Sequence, residues 1–359
     1  MDPAQFTADA LMHSVFRDDY GLEAGKLESL YSKSKRNQWN AELDVDWSQF
    51  APDARILDPR RDILSRLHCV KELPDETRDN LFRQAALFTL SQVLHGEQAA
   101  LMTCGQLVNA VPDMEGKFAA SAQVIDEARH VEVFARYLRC HGSHYPIDPD
   151  LQAIVTQLLT EPEWEPKCVG MQVILESLAL GFFRLGTEMA HEPVLASFIG
   201  RVHEDEARHV AYGVLSLEER IPHLPADSRR RLEDFAYDAV ARIGGRAGKP
   251  TFTTQMHALQ RAGVDVGSFF PKLVAEFSNP SHIDFEGLAD PLAQTVLPNL
   301  LRVGLIPERH LVGYLAQGFR IDLATSTIDD VHSFHPDAQA ARKELAERGL
   351  NAMRPWAIA

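Results

Sequence analysis

Asp126-Glu127-Ala128-Arg129-His130-Val131 recurs letter for letter as Asp205-Glu206-Ala207-Arg208-His209-Val210. Six identical residues in two helical stretches are an internal repeat, and each copy contains Glu-x-x-His. On a helix this spacing sets a carboxylate and an imidazole one turn apart on one face, where both can bind one metal ion or a bridged pair. The bland alternative is a salt-bridged helix sequence that happens to occur twice.

Two isolated glutamates decide against that alternative. Glu97 is the only fully charged residue between Arg83 and Asp113, and Glu176 is the only one between Lys167 and Arg184. A lone carboxylate in a long apolar helix is costly to bury unless it is paired or binds a metal. Neither stretch has other charges that would make a solvated stripe.

The spacings agree as well. Glu97 to Glu127 and Glu176 to Glu206 are both 30 residues, with midpoints at Pro112 and at His191, two residues before Pro193. In an antiparallel hairpin, residues equidistant from the turn stand at one height, here roughly 22 Å from it at 1.5 Å per residue. Two such hairpins packed as a four-helix bundle enclose Glu97, Glu127, His130, Glu176, Glu206 and His209. One Glu from each of two helices and Glu-x-x-His from each of the other two is the ligand set of ferritin-like dimetal bundles. Four carboxylates at one level would repel, and two divalent cations cancel them. Carboxylate and imidazole donors with open positions suit iron or manganese, and the lack of thiolates argues against a zinc site.

The fold read from the sequence is all-α: a ferritin-like four-helix bundle with additional N- and C-terminal helices. Residues 1–74 read as an N-terminal extension packing on the bundle, 75–220 as the bundle, and 221–359 as a C-terminal helical extension. Long helices are predicted over 75–111, 113–141, 167–191 and 194–220, with a short one from Asp148 to about Thr160. Almost no alternating run of strand length occurs. Gly248-Lys249-Pro250 is no phosphate-binding loop, because the first glycine of that motif would fall at Ile243. The last 30 residues read as a polar helix and a tail ending Arg354-Pro355-Trp356.

Composition bounds the partners. The 359 residues are 45% hydrophobic and carry a net charge of −15, which disfavours nucleic acid or an anionic membrane surface. The most apolar stretch, Cys168 to Phe183, has Glu176 in its middle and does not read as a membrane span. Met1-Asp2-Pro3-Ala4 resembles no signal peptide, and the four scattered cysteines suit a reducing compartment, so a cytoplasmic location is expected.

The paired motifs resemble the ribonucleotide-reductase-like branch of the ferritin superfamily, over roughly residues 75–220. That branch includes bacterial multicomponent monooxygenase hydroxylases, acyl carrier protein desaturases and the para-aminobenzoate N-oxygenases. The resemblance implies two iron ions, or a Mn/Fe pair, with O2 as co-substrate. It makes Asp126 and Asp205 the partners that orient the metal-binding histidines, with Arg129 and Arg208 paired to those aspartates or else ordinary helix-surface arginines. No catalytic residue beyond the metal ligands is implied. Phe134 stands where reductase subunits carry a radical tyrosine, which disfavours that role. Val202 stands where N-oxygenases have a third histidine; its neighbour His203, whose counterpart in the first copy is Val124, is either a further ligand or a surface histidine. His95 points to another face and reads as structural.

The implied function is a di-iron monooxygenase that oxidises a small organic substrate by hydroxylation or N-oxygenation. The chain lacks a dinucleotide-binding fingerprint, so electrons are expected from a separate reductase or ferredoxin. The alternatives are an acyl desaturase using the same site and a non-enzymatic ferritin-like iron-binding protein. Gly96, Ala99, Ala100, Ala179 and Gly181, beside Phe182 and Phe183, leave either a substrate cavity or close helix packing. A homodimer is compatible with the sequence.

Overall fold

A computed structural model describes residues 6–20, 25–142, 144–244, 252–278, 283–284, 290–331 and 335–349. The Gly248–Pro250 loop and the Arg354–Trp356 tail lie outside them. Ahead of the bundle come α1 (Lys26–Arg36), three 3-10 turns and α2 (His68–Lys71). The first hairpin is α3 (Asp75–Ala110) and α4 (Met114–Cys140). After α5 (Pro149–Thr160), a continuous helical rod forms the third leg. It begins as α6 (Trp164–Cys168), widens to a π-helical segment over Val169–Leu175, and continues as α7 (Glu176–Met189). The fourth leg is α8 (Pro193–Glu218).

Both hairpin turns come from proline chemistry. Val111 precedes Pro112 and leaves the helical region at φ −65°, ψ 142°, which ends α3. Asp113 then caps α4 by accepting the Gly116 N–H at 2.6 Å. In the second hairpin Glu192 is extended before Pro193 and caps α8 by accepting from Leu195 N at 2.9 Å. Each turn is three residues, 111–113 and 190–192, centred on the two midpoints that the glutamate spacing marks.

The rod from Trp164 to Met189 is long and apolar enough to cross a membrane, but it is a mostly buried leg of the bundle. The flanks pack on the bundle rather than apart from it. Residues 51–58 clamp the second turn: Asp58 N–H donates to Met189 O at 2.8 Å, His191 N–H to Ile56 O at 3.0 Å, and Ala51 N–H to Glu192 Oε1 at 3.0 Å. Beyond the bundle run α9 (Ala226–Gly244), α10 (Phe252–Arg261), α11 (Val266–Ser278), α12 (Leu297–Arg302), α13 (Leu311–Gln317) and α14 (Pro336–Glu347). Leu232, Ala236, Val296, Leu297 and Tyr314 share one apolar core with Val173, Val210 and Tyr212.

One element departs from the helical reading. Phe319–Asp322 (β1) and Thr327–Asp330 (β2) form an antiparallel hairpin, with Phe319 opposite Asp330 and Asp322 opposite Thr327. Four residues a side is too short for a period-2 pattern to stand out, and only β1 alternates clearly between buried and exposed. The fold remains all-α in class, a ferritin-like four-helix bundle with helical additions at both ends.

Candidate metal centre

The four legs bring the six sequence-selected residues together in the core. Glu97 comes from α3, Glu127 and His130 from α4, Glu176 from the first turn of α7, and Glu206 and His209 from α8; all six are buried. Their donor atoms fall into two groups, Glu97–Glu127–His130–Glu206 and Glu127–Glu176–Glu206–His209, each with atoms within 4.8 Å of one another. Glu127 and Glu206 belong to both. His130 Nδ1 lies 3.1 Å from Glu97 Oε2, 3.3 Å from Glu127 Oε2 and 3.3 Å from Glu206 Oε1. His209 Nδ1 lies 3.0 Å from Glu127 Oε1, 3.7 Å from Glu176 Oε2 and 3.5 Å from Glu206 Oε2. Each shared glutamate therefore turns one oxygen toward each histidine, as a bridging carboxylate must.

Behind the ligands the two halves are cross-wired. His130 Nε2 meets Asp205 Oδ2 at 3.0 Å, and His209 Nε2 faces Asp126 Oδ2 at 3.4 Å, so each motif's aspartate serves the other motif's histidine. Arg129 donates to Asp126 at 2.5 Å and to Asp205 at 2.9 Å, while Arg208 pairs with Asp205. The arginines are buried members of this network, not surface residues. Three further participants come from outside the repeat. Trp39 Nε1 donates to Asp205 Oδ2 at 2.8 Å with Arg129 stacked 4.8 Å over its ring, and Gln38 Nε2 donates to Asp126 Oδ1 at 2.8 Å. Gln123 Nε2 donates to Glu127 Oε1 and to Glu176 Oε1, both at 2.8 Å. No sequence signal marked Gln38 or Trp39; Gln123 was detectable as a mismatch between the repeat copies.

The electrostatics show what the bare donors lack. Burial and the neighbouring Glu206 push the Glu97 carboxyl well above its ordinary range. Burial, then Glu206 and Glu127, do the same to Glu176. Burial opposes charge on His130 and His209, but the carboxylates around them hold both well above the usual histidine range. Burial would raise Glu127 as well, yet His209 and His130 hold it well below. Both Glu206 oxygens, Glu127 Oε2 and His209 Nδ1 are buried without a hydrogen-bond partner among the described residues. They meet only the ion-pair contacts between the histidines and glutamates of the centre, where divalent ions would take the place of the protons, so the donor set fits two divalent ions.

Other sequence candidates fall elsewhere. His203 is half-buried and joins neither donor group, with its Nδ1 unpartnered. His95 bonds the Tyr145 carbonyl at 2.9 Å, a structural role. Phe134 is fully buried between Phe183 and Phe198, with ring centroids 5.8 and 5.3 Å away. Gly181 gives close packing rather than open space, since a Cβ there would meet Pro291 at 2.7 Å.

The family model described as P-aminobenzoate N-oxygenase AurF matches residues 23–247, more than half of the chain. The chain belongs to the AurF family. It is accordingly an oxidoreductase of the di-iron oxygenase kind, and the two buried donor groups could hold its metal ions. The matched span reaches well ahead of the bundle and takes in Gln38 and Trp39, so the AurF match includes the segment that seals the centre. Solved structures also resemble the chain. One is an R2-like ligand-binding oxidase with an aerobically reconstituted Mn/Fe cofactor, 17% identical over 73% of this chain and 93% of that one, with a TM-score of 0.45. Another is a variant of such an oxidase with an anaerobically reconstituted Mn/Fe cofactor, 18% identical over 73% and 94%, with a TM-score of 0.46. No curated protein matches the sequence.

Proposed function

We propose that the chain inserts one oxygen atom from O2 into a small organic amine, with electrons from a separate reductase or ferredoxin. Glu97, Glu127, His130, Glu206 and Glu127, Glu176, Glu206, His209 hold the two ions, iron in both positions or a Mn/Fe pair. Asp126 and Asp205 orient the histidines. When bound, the reduced ion pair supplies the electrons that activate oxygen. The overall balance is R–NH2 + O2 + two electrons + two protons to R–NHOH + H2O, with the external donor as reductant. The observation that carries this reading is the pair of four-donor groups sharing Glu127 and Glu206 in a sealed core.

A second observation favours an amine over an acyl chain. Among the described residues, Gln123 Oε1, Gln172 Oε1, Thr103 Oγ1 and Tyr212 OH are buried without hydrogen-bond partners, each within one or two turns of a ligand. Two amide acceptors suit an N–H donor, whereas an acyl chain would leave them unsatisfied. The chain's own contribution is to exclude water and hold the substrate nitrogen; Leu94, Phe134, Phe198 and Val202 form a continuous apolar cluster one or two turns from the ligands.

The test has two parts. Protein from iron-replete cells is expected to hold about two ions per chain, and Glu127→Ala or His209→Ala to lose most of them. The loaded protein, given a chemical reductant, 18O2 and a panel of aryl amines beginning with p-aminobenzoate, is expected to yield a product with one labelled oxygen. Loss of two hydrogens from an acyl substrate would make it a desaturase. Ferric deposition without turnover would make it an iron-binding protein.

A further inference from the structure

The repeat is broken at one buried position beside the centre. Four residues before each motif glutamate, one turn away on the same helix, α4 has Gln123 and α8 has Val202. Both are buried. The Gln123 amide ties Glu127 Oε1 to Glu176 Oε1 with two 2.8 Å hydrogen bonds. Both belong to the four-residue group that contains His209, and Glu127 Oε1 is the oxygen that faces His209 at 3.0 Å. Glu127 Oε2, which faces His130, is left alone. On the His130 side the equivalent residue, Val202, has no donor to offer.

We propose that Gln123 makes the two metal positions unequal, so that the Glu97/His130 position fills first and the Glu176/His209 position only as the Gln123 amide yields. This rests on the dimetal reading above and adds an order of filling. An ion drawing on both Glu127 Oε1 and Glu176 competes with a donor already seated between them. Gln123 Oε1 makes no hydrogen bond among the described residues, so moving the amide breaks only the two bonds from Nε2. A hydrogen bond to a charged group is worth roughly ten- to a hundredfold in an equilibrium constant, so the second step is weaker by at least about tenfold.

The experiment is an anaerobic titration of the metal-free full chain with Co(II), followed by visible absorption and calorimetry. The parent protein is expected to bind two ions in resolved steps. Gln123→Val, which copies the other half, and Gln123→Met, which keeps the volume without the donor, are expected to bring the steps together. Val202→Gln is expected to weaken the first step instead, and circular dichroism of each variant checks the fold. Two equal steps in the parent, or a spacing unchanged in every Gln123 variant, overturn the role of Gln123 and leave the dimetal site standing. A parent that never takes up two ions overturns both.

Discussion

His130 and His209 each turn Nδ1 to three glutamates and Nε2 to an aspartate from the opposite repeat, which fixes ring orientation before any ion arrives. The two aspartates are not equally loaded. Each meets both arginines and one further donor, Trp39 on Asp205 and Gln38 on Asp126, but Arg208 and the histidine stand closer to Asp205, with His130 at 3.0 Å against 3.4 Å from His209 to Asp126. Asp205→Asn keeps the shape but removes the charge that the two arginines and His130 share. Metal affinity is expected to fall about 10–100-fold, and less in Asp126→Asn, read by competition with a chelator. Parent-like affinity in both variants would show that the cross-wiring does not set ligand orientation. At this scale the ligands were legible because a buried carboxylate in an apolar helix has few explanations. Trp39 was not, because it reaches Asp205 across 166 positions and only the folded chain brings them together.

Among the elements, the two hairpins were legible because proline and spacing fix both the turn and the height of the ligands. The π-helical widening just before Glu176 was not, since no residue type demands it. It brings Gln172 against α8 where Gly213 sits, and a Cβ on Gly213 would meet Gln172 Cβ at 2.3 Å and its backbone carbonyl carbon at 3.1 Å. This close approach lies one turn from both His209 and Glu176, so it sets the separation of those two ligands. Gly213→Ala must push the helices apart. The expected cost is about 1–3 kcal/mol in urea unfolding of the metal-free protein, with weakened uptake of the second ion. Unchanged stability with unchanged metal binding would mean that the crossing tolerates a methyl group and does not control the site. The β1–β2 hairpin was missed for a different reason: it lies far from the bundle pattern and is held by only four pairs.

At the scale of the whole molecule, the metal-free core is balanced by protons where the loaded core is balanced by ions. The groups held above their ordinary ranges are Glu97, Glu176, His130 and His209. The histidines contribute stability that is full below their unfolded pKa of about 6.5 and is lost as pH rises through their higher folded values. Glu97 and Glu176 act in the same direction, since above the ordinary value of 4.5 the unfolded chain ionises them and the folded one resists. Glu127, held low by the histidines, and Glu206, held low by its hydrogen bond with the Glu176 carboxyl and then by the histidines, lose their contribution only as pH falls toward acid. The metal-free protein is therefore expected to weaken as pH climbs above the ordinary glutamate value and further as it passes the ordinary histidine value. Divalent ions need those same four groups deprotonated, so their affinity rises with pH and protons leave as the ions bind. The gap in Tm between loaded and metal-free protein is expected to widen with pH, and uptake in weak buffer to acidify the solution. Replacing Glu97 by Gln removes one of the four titrating groups, so proton release is expected to fall with the overall direction kept. A Tm gap that narrows with rising pH, or uptake that releases no protons, would mean that the core is not proton-balanced in the metal-free state.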